Sequence, residues 1–153
     1  MESNRDYIDR LNLCMNRIDG LYYMAARKMG IKDNALALFY VLNDGKLHTQ
    51  KEICDEWLIP RTTINTIVKE CADKGYLVMD SHEHTKEKQI RLTGEGKAYV
   101  DRLFCNLYKA EENAMDKTMR EYSPELLKGL EAFTNHLIEE FQKEIFDKEG
   151  NEK

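Results

Sequence analysis

Small hydrogen-bonding side chains recur at helical spacing in the segment between Pro60 and Gly75. At intervals of three, one and three residues stand Thr62, Asn65, Thr66 and Lys69, which places them on one helix face. An asparagine amide can pair with adenine through two hydrogen bonds, and a threonine can meet a base edge, a thymine methyl or a phosphate. Exposed threonines lower helix propensity, so a set of them suggests use. The pattern favours a surface that reads duplex DNA over a plain solvated helix face.

Other kinds of chemistry lack a matching pattern in the sequence. The chain has no Gly-rich phosphate loop, no Gly-x-Ser-x-Gly, no HExxH and no convergent carboxylate pair, so we expect neither an enzyme nor a bound cofactor. His82 and His84 have no third ligand nearby in sequence, which favours a solvated loop over a metal site. The four cysteines lack CxxC spacing and lie within apolar patterns, so we expect buried, reduced thiols at Cys14, Cys54, Cys71 and Cys105.

Two short helices must position the polar face. Thr49 and Glu52 form a capping-box pattern that begins a helix ending near Trp57, with Ile53, Cys54 and Trp57 facing inward. Pro60 opens the next helix, and Gly75 ends it. The buried stripe of this second helix is expected to contain Ile64, Ile67, Val68 and Cys71. Two such helices joined by a tight turn predict a helix-turn-helix.

A charged hairpin follows the second short helix. The segments Tyr76–Asp80 and Gln89–Leu92 alternate apolar and polar residues as half-buried strands do, and the polar segment 81–88 joins them. The inward positions are expected at Leu77, Met79, Ile90 and Leu92. A hairpin placed directly after a helix-turn-helix predicts a wing.

Longer helices flank this reading head. The pattern predicts helices at Asn4–Met29, from a cap at Asp33 or Asn34 through Leu42, at Gly94–Arg120, and after Ser123. In the third of these, the expected inward positions are Ala98, Leu103, Leu107, Ala110 and Ala114. The fold class is therefore mainly α with a small β-wing, in the order α-α-α-α-β-β-α-α. Residues 33–93 are expected to form a DNA-binding winged helix, and 1–30 and 94–147 to pair two copies in a symmetric homodimer.

The charge distribution gives only weak evidence for DNA binding. The chain carries a net charge of −5, and the segment from Lys46 to Arg91 holds eight basic and eight acidic residues. A reading head without net charge predicts modest non-specific affinity and reliance on specific contacts and dimerisation. No apolar run approaches a membrane span and no signal peptide opens the chain, so we expect a soluble, cytoplasmic protein.

Four stretches together resemble a known family over nearly the full length of the chain. They read TQKEICDEW, IPRTTINTIVKECADKGYLV, IRLTGEGKAY and SPELLKGLEAF. The chain resembles the MarR family of bacterial winged helix-turn-helix transcriptional regulators. The ending of the wing, Leu92-Thr93-x-x-Gly96, is its most family-specific part. The resemblance implies a triangular homodimer built by the first, fifth and sixth helices. It also implies a fourth helix in the major groove and a wing at the minor groove.

The DNA-binding residues expected on these grounds lie on the two short helices and the wing. Thr49 and Gln50 offer backbone amides to phosphate at a helix N-terminus. The full set is Thr49, Gln50, Arg61, Thr62, Thr63, Asn65, Thr66, Lys69, Lys86, Lys88 and Arg91. The family usually has an Asp and an Arg in the wing, where this chain has His84 and Lys86, and often a Ser cap in place of Pro60. Because Lys lacks the planar fork of Arg, wing contacts are expected to be weaker than usual.

Family members commonly repress genes and release DNA in response to a small phenolic or lipophilic ligand or to an oxidant. The resemblance therefore suggests an effector pocket near Tyr22, Tyr23, Phe39 and Tyr40, although tyrosines at helical spacing are more often core residues. It also suggests Cys14 as a redox-sensing position, against the alternative of a buried structural thiol. A different class of function stays open, in which the winged helix contacts another protein and no DNA.

Overall fold

The computed structural model describes residues 2–80 and 88–147. The chain divides into two compact units, Met1–Leu107 and Tyr108–Lys153. The first unit holds four helices, a small sheet and the start of a fifth helix. The second holds the rest of that helix and a sixth. Among the described residues no helix is long and apolar enough to cross a membrane.

Helix α1 spans Asn4–Met29, as the sequence predicts. A capping box begins it, in which the Asp6 amide donates to Ser3 Oγ and the Ser3 amide donates to Asp6 Oδ2 at 2.8 Å. Gly30 ends it with φ 74°, a backbone conformation that glycine adopts without steric penalty. Ala26 is its one buried residue within the described part of the chain, so most of α1 is exposed.

Helix α2 spans Asp33–Leu42 and forms the centre of the first unit. Half of its ten residues are buried, namely Leu36, Leu38, Phe39, Val41 and Leu42. The expected cap at Asp33 or Asn34 is wrong, because the helix starts one residue earlier and Lys32 occupies the cap position. Lys32 Nζ instead pairs with both carboxylate oxygens of Glu70, at 2.8 and 2.9 Å, and so joins the start of α2 to α4.

Helices α3 (Gln50–Trp57) and α4 (Arg61–Asp73) form the helix-turn-helix. The capping box of α3 is confirmed, with the Glu52 amide 3.1 Å from Thr49 Oγ1 and the Thr49 amide 2.7 Å from Glu52 Oε2. In the turn Leu58 takes φ 51°, which is unusual for a leucine. Trp57 is 44% exposed, so its expected inward position is wrong. The residue lies in the last turn of α3, where the helix leaves the core.

The sheet has three strands rather than the expected two. Strand β1 is His48–Thr49, β2 is Leu77–Asp80 and β3 is Gln89–Leu92, with β3 central and both pairings antiparallel. A strand of two residues is too short to show alternation, which is why the sequence did not predict β1. The register places Leu77 opposite Leu92 and Met79 opposite Ile90, so these four share one face as expected. Leu77 and Ile90 are buried, but Met79 is 41% exposed.

Helix α5 spans Gly94–Glu121 and begins in close contact with the turn after α4. The Thr93 amide donates to the Tyr76 carbonyl at 3.0 Å, and Thr93 Oγ1 donates to the Gly75 carbonyl at 2.7 Å. The same hydroxyl oxygen accepts the Gly96 amide at 2.9 Å and so caps α5. A β-carbon on Gly96 would lie 2.0 Å from the Tyr76 carbonyl oxygen. Close packing against the turn after α4 therefore explains why Thr93 and Gly96 stand at these positions of the Leu92-Thr93-x-x-Gly96 ending.

The inward face of α5 differs from the sequence prediction. The buried residues are Gly96, Val100 and Phe104, spaced by four, whereas Ala98, Ala110 and Ala114 are exposed and Leu103 and Leu107 are half-buried. Small alanines fit either face of a helix, so the pattern of the sequence did not determine which side packs. Tyr99 stacks on Tyr76 with ring centroids 4.3 Å apart, which extends the contact between α5 and the turn.

Helix α6 spans Glu125–Phe141 in the second unit and continues into a π-helical turn, Gln142–Phe146. Within the described residues neither segment buries a side chain. Their exposed large apolar residues are Leu126, Leu127, Leu130, Leu137, Ile138, Phe141, Ile145 and Phe146. An apolar helix with no covered face is stable in water only when something packs on it.

Candidate nucleic-acid interface

Helix α4 separates its side chains into two faces. Ile64, Ile67, Val68 and Cys71 are buried, as the sequence predicts. The exposed residues include Arg61, Thr62, Asn65, Thr66 and Lys69, while Thr63 is half-buried at the edge. The structure therefore brings the five expected reading residues of this helix together on its exposed side and leaves Thr63 beside them.

The buried stripe fixes the direction of that exposed face. Helix α4 packs against α2, α3 and β2, and the bidentate pair of Lys32 with Glu70 joins it to the start of α2. Ile64 is fully buried and Val68 is 1% exposed, so rotation of α4 about its axis would expose core side chains to water. The polar side chains are thus presented by a rigid support.

The exposed residues Arg61, Thr62, Asn65, Thr66 and Lys69 form the reading face of α4. In this face the hydroxyl of Thr66 already donates a hydrogen bond. Thr66 Oγ1 donates to the backbone carbonyl of Thr62, one turn earlier, at 3.0 Å. Helical threonines commonly bond to the carbonyl one turn back. The bond orients the Thr66 side chain. Its hydroxyl is engaged, and its methyl group is the branch without a hydrogen bond on an exposed residue.

The N-terminus of α3 is less suited to phosphate than the sequence suggests. Thr49 uses both its amide and its hydroxyl in the capping box with Glu52, and both Thr49 and Gln50 are half-buried. The backbone hydrogen bond from Thr49 lowers the pKa of the Glu52 carboxyl, so this group stays ionised at neutral pH. A carboxylate at the helix start would repel a phosphate there, whereas the amides of Gln50 and Lys51 are not used by the capping box.

The base of the wing carries two of the expected residues. Lys88 and Arg91 are both exposed, and Arg91 Nε donates to Asp80 Oδ2 at 2.9 Å. By register, Arg91 and Asp80 share the face opposite the core. Asp80 therefore orients Arg91 across the hairpin, a role that strand alternation alone did not indicate. The predictions for His82, His84 and Lys86 lie outside the described residues.

The four aromatic residues expected at an effector pocket lie in different surroundings. Tyr23 is 50% exposed, with the Arg27 guanidinium 5.9 Å from its ring centroid, and Tyr22 is half-buried. Phe39 is 2% exposed and sits in the core against Tyr76 and Tyr99, so its ring offers a ligand almost no surface.

Tyr40, the fourth, is half-buried. Its ring centroid lies 6.2 Å from that of Trp57 and 6.2 Å from that of Phe104. Trp57 and Phe104 lie in different helices that are distant in the sequence. Helical spacing therefore could not have grouped them with Tyr40.

The four cysteines differ in burial. The expectation of buried thiols is wrong for Cys14 and Cys105. Cys14 and Cys105 are exposed, Cys54 is half-buried and Cys71 is buried. Burial raises the pKa of the Cys71 thiol to about 11, which makes it unreactive at neutral pH. Among the described residues no group of three or more His, Cys, Asp or Glu side chains could hold a metal ion.

Comparisons with known proteins concern the fold of the chain. The model of the MarR family matches residues 29–86, which span α2, α3, α4 and β2. No curated protein sequence matches the chain.

Solved structures of MarR regulators share the fold. A MarR family regulator from Neisseria meningitidis superposes with a TM-score of 0.72 at 23% identity, covering 92% of this chain and 97% of its own. Staphylococcus aureus MarR in complex with salicylate and kanamycin has a TM-score of 0.63 at 16% identity, covering 92% and 93%. NadR in complex with 4-hydroxyphenylacetate has a TM-score of 0.63 at 15% identity, covering 90% and 93%. The resemblance and the fold class expected from the sequence are confirmed.

Proposed function

We propose that the protein is a homodimeric, sequence-specific DNA-binding transcriptional regulator. The support is its match to the MarR family model over residues 29–86 and its similarity in fold to solved MarR regulators. The observation that carries the proposal is the face of α4. Arg61, Thr62, Asn65, Thr66 and Lys69 are exposed there, while the opposite face of the same helix is buried.

Helix α4 would lie in the major groove. Asn65 pairs with an adenine, Thr62 and Thr66 meet neighbouring base edges or methyl groups, and Arg61 and Lys69 contact phosphates. Thr63, half-buried at the edge of the face, would assist at the backbone of the same strand. Lys86, Lys88 and Arg91 of the wing would contact the flanking backbone. At the N-terminus of α3, where the capping box occupies Thr49, the Gln50 amide would be the remaining contact.

Two copies are needed for useful affinity, since the reading head carries no net charge between Lys46 and Arg91. We assign residues 33–93 to DNA binding and residues 1–30 and 94–147 to dimerisation. The exposed apolar side chains of α1, which include Leu13, Ile18 and Leu21, support this assignment. The exposed apolar residues of α6 also support it.

A small phenolic or lipophilic effector would release the DNA, which makes the protein a repressor that acts in the cytoplasm. Support comes from the two similar structures that hold salicylate and 4-hydroxyphenylacetate. Tyr22, Tyr23 and Tyr40 are exposed or half-buried and could contact such a ligand, whereas Phe39 lies in the core against Tyr76 and Tyr99. Oxidation of the exposed Cys14 is the alternative trigger.

The test is binding of the full chain to duplexes from the region upstream of its own gene, measured by fluorescence anisotropy. We expect specific, salt-sensitive binding to a pseudo-palindrome whose half-sites lie about one helical turn apart. Asn65→Ala should abolish sequence preference, a loss of about tenfold or more per half-site, and leave the dimer intact by light scattering. Asn34→Ala, an equal truncation on the exposed start of α2, is the matched control and should bind as the wild type does.

A second function, a winged helix that contacts protein and not DNA, is favoured by one observation. Acidic and basic residues balance between Lys46 and Arg91, and the whole chain is acidic. Absence of any duplex binding at low salt would support this second function and contradict the first. Binding by Asn65→Ala equal to the wild type would contradict the assignment of the reading face.

A further inference from the structure

The hydroxyl of Thr66 determines what this residue offers to a duplex. Its hydrogen points at the carbonyl oxygen of Thr62, 3.0 Å away, inside the helix surface. Donation to a base edge or to a phosphate would require this bond to break. The methyl group needs no such rearrangement, because the two branches of the Cβ atom diverge and the side chain is exposed.

The same kind of bond occurs at two helical threonines of the other unit. Thr118 Oγ1 donates to the Ala114 carbonyl at 2.9 Å and Thr134 Oγ1 to the Leu130 carbonyl at 2.9 Å. Thr66 differs from these two in its position, one residue after Asn65 on the exposed face of α4. If α4 enters the major groove as proposed, its side chain does so with the hydroxyl donor occupied.

We propose that Thr66 is a specificity-determining residue that recognises the 5-methyl group of a thymine through its own methyl group. The 5-methyl is the apolar feature that distinguishes thymine in the major groove, and threonine methyl groups are suitable partners for it. Asn65, which precedes it, supplies an amide for adenine. Adjacent residues of α4 would thus select A·T pairs by two different means, one polar and one apolar.

The expected size of the effect follows from burial of one methyl-sized group. Each thymine methyl that Thr66 covers should contribute about fourfold in affinity, equivalent to about 0.8 kcal/mol. A symmetric dimer has two half-sites, so loss of both contacts should weaken binding about fifteenfold if the two act independently. This inference rests on the proposed function, since it requires that α4 enters the groove.

The experiment begins with selection of duplexes from a random pool by the full-length wild-type protein. In the selected site each thymine is then replaced in turn by deoxyuridine, which removes only the 5-methyl. Dissociation constants are measured for the wild type, Thr66→Val, which keeps the methyl and loses the hydroxyl, and Thr66→Ser, which does the reverse. Thr134→Val and Thr134→Ser, at the equivalent bond in α6, report any effect of the hydroxyl bond on the helix itself.

In each half-site, replacement of one particular thymine by deoxyuridine, with the other half-site intact, should weaken binding by the wild type and by Thr66→Val about fourfold. The same replacement should leave the affinity of Thr66→Ser unchanged. Thr66→Val should bind the all-thymine site within about twofold of the wild type. A uniform loss for Thr66→Val at every site, with its folding intact by circular dichroism, would assign the hydroxyl to phosphate or base and overturn the proposal. So would a uracil effect equal in wild type and Thr66→Ser. A pool that enriches no sequence would overturn the proposed function as well, whereas the other outcomes leave it standing.

Discussion

Helices α4 and α6 are both amphipathic, yet they differ in where their apolar faces are covered. Helix α4 buries Ile64, Ile67, Val68 and Cys71 within its own unit, while α6 and the turn after it bury nothing in the described chain. The first arrangement leaves a polar face in a fixed direction, which suits reading a sequence. The second leaves an apolar face exposed among the described residues. We propose that a second copy of the chain covers this face.

The largest expected effect on stability comes from a comparison of two glycines, one packed at the start of α5 and one exposed on α6. In Gly96→Ala the new β-carbon would meet the Tyr76 backbone carbonyl at 2.0 Å, so either α5 or the turn must shift. We expect a loss of about 4 kcal/mol in the free energy of unfolding, measured with urea. Gly129→Ala on α6 meets nothing within 4 Å and should gain up to about 1 kcal/mol from helix propensity. Equal responses of the two variants would contradict the rigid contact at the start of α5.

Two large-to-small substitutions, one in the apolar face of α4 and one in that of α6, test whether these faces pack against different partners. Ile64→Ala removes a fully buried side chain and should lower the free energy of unfolding by about 3 kcal/mol at every protein concentration. Leu130, by contrast, is 44% exposed on α6. Leu130→Ala should weaken self-association in sedimentation velocity, with its stability deficit largest at low protein concentration. A deficit independent of concentration would mean that α6 packs within its own chain.

The capping box of α3 gives a smaller effect with a pH dependence. Thr49→Ala should lower stability by about 1 kcal/mol at neutral pH through loss of the cap. The folded-state pKa of Glu52 lies below its ordinary value of 4.5, so its stabilising contribution is present above that value and is lost as the pH falls through the folded-state pKa. In Glu52→Gln, unfolding followed from pH 6 to pH 3 should therefore show a shallower decline than in the wild type. Curves that run parallel would rule out this contribution.

The smallest effect is expected at the turn between α3 and α4. Leu58 holds φ 51° while its side chain is 78% exposed, so it carries backbone strain with little burial in return. Leu58→Gly should raise the free energy of unfolding by about 0.5 kcal/mol, because relief of the strain slightly exceeds the entropy that glycine adds to the unfolded chain. Leu47→Gly, at another exposed leucine outside the helices, is the control and should be neutral or destabilising. A loss at both positions would show that Leu58 has a packing role.

The sequence predicted those features that depend on a few neighbouring residues. The bounds of α1, the capping box at Thr49 and Glu52, and the two faces of α4 follow from caps and helical spacing, and all three are confirmed. Features that depend on distant partners were missed. Strand β1 exists only because His48 and Thr49 pair with β3, and α5 turns Val100 and Phe104 inward because Gly96 must lie against Tyr76.

The candidate site divides in the same way. Exposure of Asn65 and Thr66 follows from the buried stripe of their own helix, so spacing was sufficient to place them. The pairing of Arg91 with Asp80, the burial of Phe39 and the exposure of Cys14 depend on which segments meet, and periodicity carries no information about that. The DNA contacts themselves stay predictions for the binding experiments.

Thr93 has a mechanical consequence that follows from its hydrogen bonds. Its amide and hydroxyl bind the carbonyls of Tyr76 and Gly75, at 3.0 and 2.7 Å, and the same hydroxyl caps α5 through the Gly96 amide. The C-terminal end of α4 and the first turn of α5 are therefore parts of one rigid joint. A rotation of α5 about its axis would strain these hydrogen bonds and therefore act on the turn that ends α4. A single threonine thus links the helix that would read DNA to the helix that follows the wing.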